Sequence, residues 1–514
     1  MGSERVIVVG AGIGGLAAAL ELSARGLAVT VLERATTPGG KMRQVDRIDA
    51  GPTVFTMRWV FEELFAAAGA SLSDHVTLRP AETLARHAWT GGARLDLYCD
   101  IDRSADAIGD FAGSAEARGY RAFCARAERI YRTLEGPFIR AQRPNPISLG
   151  RGVGLANIGD LWGIAPFKTL WSALGDHFRD PRLRQLFGRY ATYCGSSPFE
   201  APATLMLVAH VEREGVWLPD GGMHGVARAI ARLAARRGAA IRYDSTVREI
   251  ETHGGRIAAV VLAGGERIAA DAIIVNADVS AIASGLLGAS ITQAAPRIAR
   301  SERSLSAVTW TMHGETDGFP LTRHNVFFSN DYAAEFDDIV GRRRLPENPT
   351  VYVCAQDRGD EGTHGGPEKL LCLVNAPPDG DTHEFTTEIG PCASRTFALL
   401  ERCGLTIRAQ TQTVTTPADF NRMFPGTGGA LYGMASHGWM ASFRRPGART
   451  KIPGLYLAGG SAHPGPGVPM AALSGRLAAE SLLADFASTH RFRPAAMRGG
   501  TSTRSAMTAH TRSR

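Results

Sequence analysis

The sequence lacks the features of a disulfide-stabilised or metal-binding protein. Its seven cysteines are scattered, with no Cys-x-x-Cys pair and no histidine at matching spacing, so we expect reduced thiols and no metal site. No uninterrupted apolar stretch reaches transmembrane length. The first predicted strand begins at Arg5, which leaves no room for a signal peptide before it. We therefore expect a protein of the cytoplasm or of the cytoplasmic face of a membrane.

Acidic residues are missing from the end of the chain. No Asp or Glu follows Asp485, whereas six arginines after it account for most of the formal net charge of +7. The remainder is close to neutral, so we expect no nucleic-acid partner. The Ser, Thr, Gly and Arg content of residues 491–514 predicts a disordered basic tail. Such a tail is either simply solvated or attracted to anionic lipid, by about 1 kcal/mol for each basic residue near the surface.

The most informative motif lies near the start, where an apolar strand runs into a glycine-rich turn and a helix. The strand ends at Gly10, and Gly12 and Gly15 follow at the spacing of a dinucleotide-binding βαβ unit. Gly10 allows the tight turn, Gly12 lets the backbone approach a pyrophosphate, and Gly15 lets the helix pack closely on the strand. The turn, which includes Ile13 and Gly14, presents a helix N-terminus to a diphosphate.

A second strand and an acidic residue complete this unit. The predicted helix over residues 16–25 is followed by Gly26, at the position of a C-terminal stop. The next strand ends at Glu33, 23 residues after Gly10. A carboxylate there accepts hydrogen bonds from an adenosine ribose and repels a 2′-phosphate. With strand, helix, strand and acid in register, the motif indicates a nucleotide site and not merely a structural turn.

Two further segments indicate that the nucleotide is FAD. Arg34 and the segment Gly39-Gly40-Lys41-Met42 follow the ribose site and can run beside a longer cofactor. Near the far end, residues 451–470 predict a short strand and a glycine-rich loop, and a helix is predicted from Pro469 to Asp485. This helix offers a second N-terminus to the ligand. Binding segments some 450 residues apart suit an extended FAD, and no second Gly-x-Gly-x-x-Gly is present for NAD(P)H.

The cofactor-binding domain is predicted to be assembled from separated pieces. Its middle piece has an Arg/Ala-rich helix ending near Gly238 and then short strands at residues 240–243, 247–251, 257–262 and 272–278. They predict a three-stranded meander that returns to the main sheet, with Val247 giving a backbone contact to adenine, as such a piece does in two-part flavoproteins. The fold class is α/β, with a Rossmann-like FAD-binding domain at residues 1–82, 215–290 and 426–490 and a discontinuous α+β substrate domain at residues 83–214 and 291–425.

An apolar, aromatic segment of the substrate domain has largely helical spacing, broken at Pro166. Its apolar members are Leu155, Ile158, Leu161, Trp162, Ile164, Phe167, Leu170, Trp171, Leu174 and Phe178. One interpretation is an ordinary buried helix. The other is an interfacial element that dips into a bilayer and admits a lipid-soluble substrate, since Trp and Phe beside Lys168 suit that boundary.

Taken in order, the motifs resemble the bacterial carotenoid desaturases of the phytoene type. The likeness spans residues 5 to about 485 and rests on the N-terminal unit, Gly39-Gly40-Lys41, the box Asp49-Ala-Gly51-Pro52-Thr53-Val-Phe-Thr56, residues 180–184, 197–199 and 215–222, and the Gly-Gly-Ser-Ala-His-Pro-Gly loop from Gly459. A narrower likeness, to the 1-hydroxycarotenoid 3,4-desaturases, lies in residues 51–65 and 469–476.

The glycine-rich loop departs from the family at two points. Pro466 stands where the wider family has a small residue, and the loop lacks the acidic residue that holds the ribityl chain in many related flavoproteins. A contact from His463 or from loop amides is one substitute, and a purely structural role for His463 is the alternative.

The resemblance implies a two-dinucleotide-binding-domain flavoprotein of the amine-oxidase and phytoene-desaturase superfamily. It implies C-3,4 desaturation of an acyclic 1-hydroxy- or 1-methoxycarotenoid, in which hydride leaves for the flavin and a proton leaves the neighbouring carbon. Recognition of such a substrate implies an apolar tunnel with the end hydroxyl bound by a few hydrogen bonds. The resemblance also implies peripheral attachment to an inner or photosynthetic membrane and an electron acceptor such as oxygen or a quinone.

The sequence does not rank proton acceptors, so we name no catalytic residue. The residues predicted to bind FAD are Gly10, Gly12, Ile13, Gly14, Gly15, Glu33, Arg34, Gly40, Lys41, Met42, Gly51, Pro52, Thr53, Val247, Ala277, Gly459, Gly460, Val468, Pro469 and Met470. The alternative functions are a phytoene desaturase, a flavin amine oxidase whose aromatic cage Trp439 or Phe443 would partly form, and a flavin-less binding protein of the GDP dissociation inhibitor kind.

Overall fold

The computed structural model describes residues 4–153, 167–359 and 365–491. The strands are β1 (Arg5–Val9), β2 (Ala28–Leu32), β3 (Gln44–Val45), β4 (Ile48–Asp49), β5 (Leu78–Pro80), β6 (Thr83–Trp89), β7 (Arg94–Tyr98), β8 (Trp217–Pro219), β9 (Ala240–Arg242), β10 (Val247–His253), β11 (Arg256–Leu262), β12 (Arg267–Ala269), β13 (Ala272–Val275), β14 (Ser306–Asp317), β15 (His324–Phe328), β16 (Val351–Ala355), β17 (Glu368–Ala376), β18 (Thr406–Thr415) and β19 (Leu455–Leu457). The α-helices are α1 (Ile13–Ala24), α2 (Arg58–Ala67), α3 (Ile101–Ala112), α4 (Ser114–Leu134), α5 (Pro146–Val153), α6 (Leu170–Leu174), α7 (Pro181–Gly188), α8 (Leu207–Arg213), α9 (Gly222–Arg236), α10 (Val279–Ala283), α11 (Tyr332–Phe336), α12 (Ile389–Arg402), α13 (Pro417–Met423), α14 (Ala441–Arg444) and α15 (Val468–Arg491).

A parallel sheet of five strands, in the order β19-β13-β1-β2-β9, brings distant parts of the chain together. Its central strand β1 is buried on both faces, because Val6 and Val8 pack into one core while Ile7 and Val9 pack into another. This is why the strand is a continuous apolar run and not an alternating one. The chain reverses its direction of winding at β1, which lies between β2 and β13. Ligands of such sheets bind at the carboxyl ends of the strands beside this reversal.

Two predicted boundaries in this region differ from the structure. The predicted strand at residues 240–243 is β9, which pairs with β2 in the parallel sheet. The meander consists of β10, β11 and β12, and β12 was missed because a three-residue strand carries almost no alternation. The last helix extends to Arg491 and not only to the predicted Asp485, since no Gly or Pro interrupts it before Pro494.

A second sheet has the strand order β18-β14-β17-β16-β15-β6-β7. It is formed by parts of the chain in which the sequence has few recognisable motifs. Its strands come from residues 83–98 and 306–415. Neighbouring strands are antiparallel except for β6 and β15, which pair in parallel. A buried cluster that includes Trp310, Phe327 and Leu399 packs between this sheet and α12.

The two sheets are joined through a glutamine side chain. Gln356 follows β16, and its amide nitrogen donates to the Asp49 carbonyl oxygen at 2.8 Å while its amide oxygen accepts from the Asp49 backbone nitrogen at 2.9 Å. The Asp49 carboxylate in turn accepts from the Met223 backbone nitrogen at 2.6 Å, in the first turn of α9. A carboxylate there suits the positive end of the helix. Asp49 thus connects the second sheet to a helix that covers the parallel sheet.

The described part of the apolar segment at 155–178 is mostly core. Leu170, Leu174 and Phe178 are fully buried, whereas Phe167 is 67% exposed. Residues 154–166 of that segment and the tail beyond Arg491 lie outside the described residues. Within the part of the chain that the structure describes, no helix is long and apolar enough to cross a membrane. The seven cysteines are free thiols.

Candidate cofactor and substrate site

The predicted glycine turn lies between β1 and α1 and adopts a conformation that requires glycine. Gly10 has a φ of +96°, and its backbone nitrogen donates to the Leu32 carbonyl oxygen at 2.8 Å. A Cβ atom at Gly15 would collide with the Gly10 carbonyl oxygen. Gly15 therefore lets the start of α1 approach the turn, as the spacing predicts.

The side chain of Asn276 lies at the centre of the glycines from both ends of the chain. A Cβ atom would lie 2.6 Å from its Nδ2 at Gly12, 2.7 Å from its Oδ1 at Gly14 and 2.8 Å from its Oδ1 at Gly459. The sequence reasoning missed Asn276 and named its neighbour Ala277. The available signal was its place directly after β13, which pairs with β1 at the reversal of the sheet.

Helices α1 and α15 pack closely with their N-termini at the same end. A Cβ atom at Gly14 would lie 2.8 Å from the Ala471 carbonyl oxygen, and one at Gly475 would collide with the Gly14 carbonyl oxygen and approach Ala17 to 3.1 Å. The contacts advance in the same direction along both helices, so their positive ends lie side by side. Two adjacent helix N-termini, one of them opened by Val468, form a site for an anionic group such as a diphosphate.

Glu33 lies directly after β2 with its carboxylate turned towards the glycine turn. It is 7% exposed; Oε2 accepts from the Ala11 backbone nitrogen at 2.7 Å and Oε1 accepts from that of Ala35 at 2.8 Å. Each oxygen keeps a lone pair for a ribose hydroxyl. The Glu33 carbonyl oxygen accepts from the Ser245 backbone nitrogen at 2.8 Å, so Val247, the predicted adenine contact, begins β10 close to this residue.

The Gly39–Met42 segment runs beside the glycine turn. Gly39 forms a parallel bridge with Gly12, and a Cβ atom at Gly40 would lie 3.2 Å from the Gly12 Cα. Met42 is buried, and its carbonyl oxygen accepts from the His224 ring at 2.8 Å. The structure therefore brings this segment to the position expected of a strand beside an extended cofactor.

The two basic residues predicted for FAD have different positions. The Lys41 Nζ donates to the Leu431 carbonyl oxygen at 2.5 Å and lies 5.3 Å from the centre of the Phe424 ring; burial lowers the pKa of this ammonium group. Arg34 is exposed and donates to the Arg422 carbonyl oxygen at 3.3 Å. The Arg34 side chain thus lies at the surface, whereas that of Lys41 points inward.

A second buried cation lies beside the C-terminal glycine loop. The Arg445 guanidinium donates to the carbonyl oxygens of Tyr432 at 3.1 Å, Gly460 at 3.2 Å and Met434 at 2.6 Å. Burial lowers the pKa of Arg445 to about 10. All three acceptors are neutral, so the positive charge favours an anionic group at this loop. Together with the paired helix N-termini and the Glu33 carboxylate, these donors and acceptors fit FAD.

His463 anchors the glycine-rich loop to Phe138. Its Nε2 donates to the Phe138 carbonyl oxygen at 2.9 Å, the two rings meet edge to face at 5.1 Å, and burial lowers the pKa of the imidazole to about 4. This contact favours the structural role over a contact to the ribityl chain.

A cavity of about 410 Å³ begins at the predicted cofactor residues and reaches β17 of the second sheet, at Leu371 and Leu373. Gly51, Pro52 and Thr53 border it together with Pro464 and the residues from Pro466 to Met470. A Cβ atom at Gly51 would collide with the Lys41 carbonyl oxygen, so the box approaches the neighbouring segment closely. Most of the remaining wall is apolar and includes Leu134, Leu149, Leu205, Val208, Leu371 and Leu373. Such a cavity suits an apolar ligand.

A cluster of polar side chains interrupts this apolar wall. The Arg189 Nη1 donates to the Tyr193 hydroxyl at 3.1 Å, and the guanidinium lies 5.0 Å from the Tyr193 ring and 5.6 Å from the Tyr352 ring. Glu212 is buried and accepts from the hydroxyls of Tyr190 at 2.7 Å and Tyr193 at 3.1 Å. Burial raises the pKa of the Glu212 carboxyl. The sequence reasoning missed these residues, because no motif marks them.

Tyr352 connects this cluster to the predicted cofactor box. Its hydroxyl oxygen lies 2.7 Å from the Thr53 Oγ1 and 2.7 Å from the His324 Nδ1. Burial raises the pKa of Tyr352 and lowers that of His324 to about 3, so both are neutral at physiological pH. Tyr352 therefore lies between Thr53, to which it is hydrogen-bonded, and Arg189, whose guanidinium lies near its ring.

Comparison with known proteins gives a matching family, named relatives and solved structures of similar fold. Residues 13–483 match the family described as flavin containing amine oxidoreductase. The chain is 57% identical to the hydroxyneurosporene desaturase of Rubrivivax gelatinosus, over 98% of both chains. It is 44% identical to that of Cereibacter sphaeroides, over 95% of this chain and 99% of the relative. An oxidoreductase from Methanosarcina mazei has a similar fold, with a TM-score of 0.61 at 16% identity over 93% of this chain and 100% of that one.

Proposed function

Since this chain belongs to the family of flavin-containing amine oxidoreductases, we propose that it is an FAD-dependent desaturase that introduces a C-3,4 double bond into an acyclic 1-hydroxycarotenoid such as hydroxyneurosporene. The observation that carries the proposal is the 57% identity, over nearly the whole of both chains, to a relative named for that activity. The cavity beside the cofactor boxes supports it, because its apolar wall suits a polyene.

The cofactor is held, in this proposal, by the residues predicted from the sequence. The turn from Gly10 to Gly15 and the start of α15 bind the diphosphate, and Glu33 binds the adenosine ribose. When bound, FAD supplies the two-electron acceptor for a hydride that leaves the substrate, while a proton leaves the neighbouring carbon. We further propose the predicted division of labour, with residues 1–82, 215–290 and 426–490 holding FAD and residues 83–214 and 291–425 holding the carotenoid.

The charges around the cavity favour desaturation over amine oxidation. The guanidiniums of Arg189 and Arg445 both border the cavity, against one bordering carboxylate among the described residues, that of Glu212, and this excess of positive charge would repel a protonated amine. Phe443 packs edge to face on Phe138 at 5.4 Å, and Trp439 packs on Phe167 at 5.3 Å. These two rings have different packing partners, which gives little support to a shared aromatic cage.

We also propose that the enzyme works at a membrane surface. Three large apolar side chains near the cavity are exposed: Ile147 at 69%, Phe167 at 67% and Trp439 at 44%. Trp439 borders the cavity, as does Leu149 two residues after Ile147. An apolar patch at the entrance of an apolar cavity suits transfer of a lipid-soluble substrate from a bilayer.

The test is an assay of the flavin-loaded protein with liposomes that contain defined acyclic carotenoids, with and without a 1-hydroxyl group. We expect conversion of the hydroxylated carotenoid to its 3,4-didehydro product, which chromatography and mass spectrometry detect. Anaerobic assays with and without an added quinone identify whether oxygen or a quinone accepts the electrons. Conversion of phytoene in place of the hydroxylated carotenoid, or absence of flavin absorbance from the purified protein, would contradict the proposal.

A further inference from the structure

Arg189 is an unusual residue for the wall of an apolar cavity. It lies at the start of a short 3-10 helix, Arg189–Cys194, and borders the cavity among leucine and valine side chains. Among the residues that the structure describes, its guanidinium donates one hydrogen bond, to Tyr193. A guanidinium has five N–H donors. The remaining donors are therefore available to a molecule in the cavity.

The surroundings of Arg189 offset its charge without using up these donors. Glu212 is a nearby carboxylate, and it is reached through the Tyr193 hydroxyl, which accepts from Arg189 and donates to Glu212. The rings of Tyr193 and Tyr352 lie close to the guanidinium, where aromatic faces stabilise a cation. The arrangement keeps a charged donor in an apolar wall and leaves its fork open towards the cavity.

The position of Arg189 relative to the cofactor box limits what it can bind. Tyr352 lies near the guanidinium and hydrogen-bonds to Thr53, a predicted FAD contact. In a 1-hydroxycarotenoid the oxygen on C-1 is separated from C-3 by only three single bonds, each about 1.5 Å long. The group that binds this oxygen must therefore lie close to the reacting carbons, and hence near the flavin end of the cavity.

We propose that Arg189 is the residue that selects carotenoids with an oxygen on C-1, by donating a hydrogen bond from its guanidinium to that oxygen. This inference rests on the proposed function and names the residue responsible for its substrate class. A substrate without the oxygen leaves the guanidinium donors buried and unpaired beneath the polyene. A site built in this way discriminates strongly against the analogue that lacks the polar group.

The donor character of Arg189 separates it from the other polar groups of the cluster. A guanidinium donates equally to a hydroxyl or to a methoxy oxygen, whereas the Glu212 carboxylate requires the hydroxyl proton. If Arg189 binds the oxygen, the enzyme should therefore convert a 1-methoxycarotenoid as it converts a 1-hydroxycarotenoid. If the methoxy compound is instead converted as poorly as the compound without oxygen, the hydroxyl proton is what the site recognises, and the assignment to Arg189 is overturned.

The experiment compares wild type with Arg189→Met, Arg189→Lys and the matched surface variant Arg232→Met. All four are assayed as flavin-loaded proteins in liposomes with a 1-hydroxycarotenoid and with the same polyene lacking the oxygen. We expect Arg189→Met to lower kcat/KM for the hydroxylated substrate by about tenfold or more, with no fall for the other polyene. Arg189→Lys should keep part of the preference, and Arg232→Met, at an exposed position of α9, should keep all of it.

Binding is measured separately from turnover. Quenching of tryptophan fluorescence by the polyene reports binding, since Trp439 borders the cavity. Arg189→Met should weaken binding of the hydroxylated polyene and leave the other unchanged. Equal losses for both substrates would mean that Arg189 is structural, and an unchanged preference would mean that another group reads the oxygen. Both results overturn the inference about Arg189. They leave the proposed function intact as long as wild type converts the hydroxylated carotenoid, and that function fails only if wild type does not convert it.

Discussion

A single atom added at Gly12 meets the centre of the candidate cofactor site. We expect Gly12→Val to abolish FAD retention, because the new Cβ would lie 2.6 Å from the Asn276 amide and its methyl groups would fill the space for the diphosphate. The measurement is the ratio of flavin to protein absorbance after purification. Gly390→Val is the matched control, since a Cβ there meets nothing within 4 Å. Unchanged flavin occupancy in the Gly12 variant would refute the site.

Glu33 has two tasks in the structure, whereas the sequence predicts one. Besides its predicted bonds to ribose, the carboxylate accepts from the backbone nitrogens of Ala11 and Ala35. Glu33→Ala should weaken FAD binding by about 1.5–3 kcal/mol, from lost charge-assisted hydrogen bonds, and should also lower the melting temperature of the cofactor-free protein. Titration with FAD and thermal unfolding separate the two effects. Glu33→Gln, which keeps an acceptor oxygen, should lie between the two proteins; equal affinity in all three would mean that the carboxylate does not bind the ribose.

At the scale of elements, the crossing of α1 and α15 is the contact most sensitive to side-chain size. Gly475 faces the Gly14 carbonyl so closely that any Cβ must displace a helix. We expect Gly475→Leu to lower the free energy of unfolding by about 1–3 kcal/mol or more and to reduce FAD affinity at the same time. Thermal unfolding with and without FAD measures both. Ala487→Leu, on an exposed position of the same helix, should change neither; a loss of stability without a loss of affinity would separate the crossing from the cofactor site.

The elements also explain which residues sequence can identify. Gly10, Gly12, Gly15 and Glu33 lie within one βαβ unit, so their spacing reflects a local geometry that any nucleotide-binding turn repeats. The cluster around Arg189 is different, because a 3-10 helix, α8 and β16 contribute to it only after the chain has packed. No spacing between such residues is fixed by local structure, and the cluster is therefore visible only in three dimensions.

At the scale of the whole molecule, buried histidines determine the response to acid. Burial lowers the pKa of His87 and His324 to about 3 and that of His463 to about 4, against about 6.5 in the unfolded chain. Below pH 6.5 the unfolded state takes up protons that the folded state refuses, so stability present above pH 6.5 falls as the pH drops. The loss is at most about 1.4 kcal/mol per pH unit for each histidine.

Among the described residues, two carboxyls act in the opposite direction, since burial raises the pKa of Glu335 and of Glu212. Burial raises the pKa of Glu335 to about 7, so the folded state holds an extra proton between about pH 4.5 and 7, and this contribution is lost as the pH rises through 7. Three histidines outweigh two carboxyls, and we expect the melting temperature to fall steadily from pH 7 to pH 5. Glu335→Gln should steepen that fall. A melting temperature that rises on acidification would contradict the assignment.

The proposed membrane patch makes a further prediction for the intact protein. Phe167→Ser and Trp439→Ser should each reduce sedimentation with phospholipid vesicles, because each removes an exposed apolar side chain; Trp439 borders the cavity and Phe167 packs on Trp439. Leu286→Ser is the control, since Leu286 is 48% exposed but does not border the cavity. Equal binding by all three variants and wild type would mean that the patch does not contact lipid.

Gly12 and Gly459, which meet around Asn276, are synthesised at very different times. The ribosome adds about 5–20 residues per second, so roughly 20 to 90 s separate the emergence of these two glycines, which lie 447 positions apart. During that interval the first turn has no partner from α15, and a nascent chain cannot enclose the cofactor. We therefore expect FAD to be enclosed only once α15 has emerged and packed against α1, and not by the N-terminal unit alone.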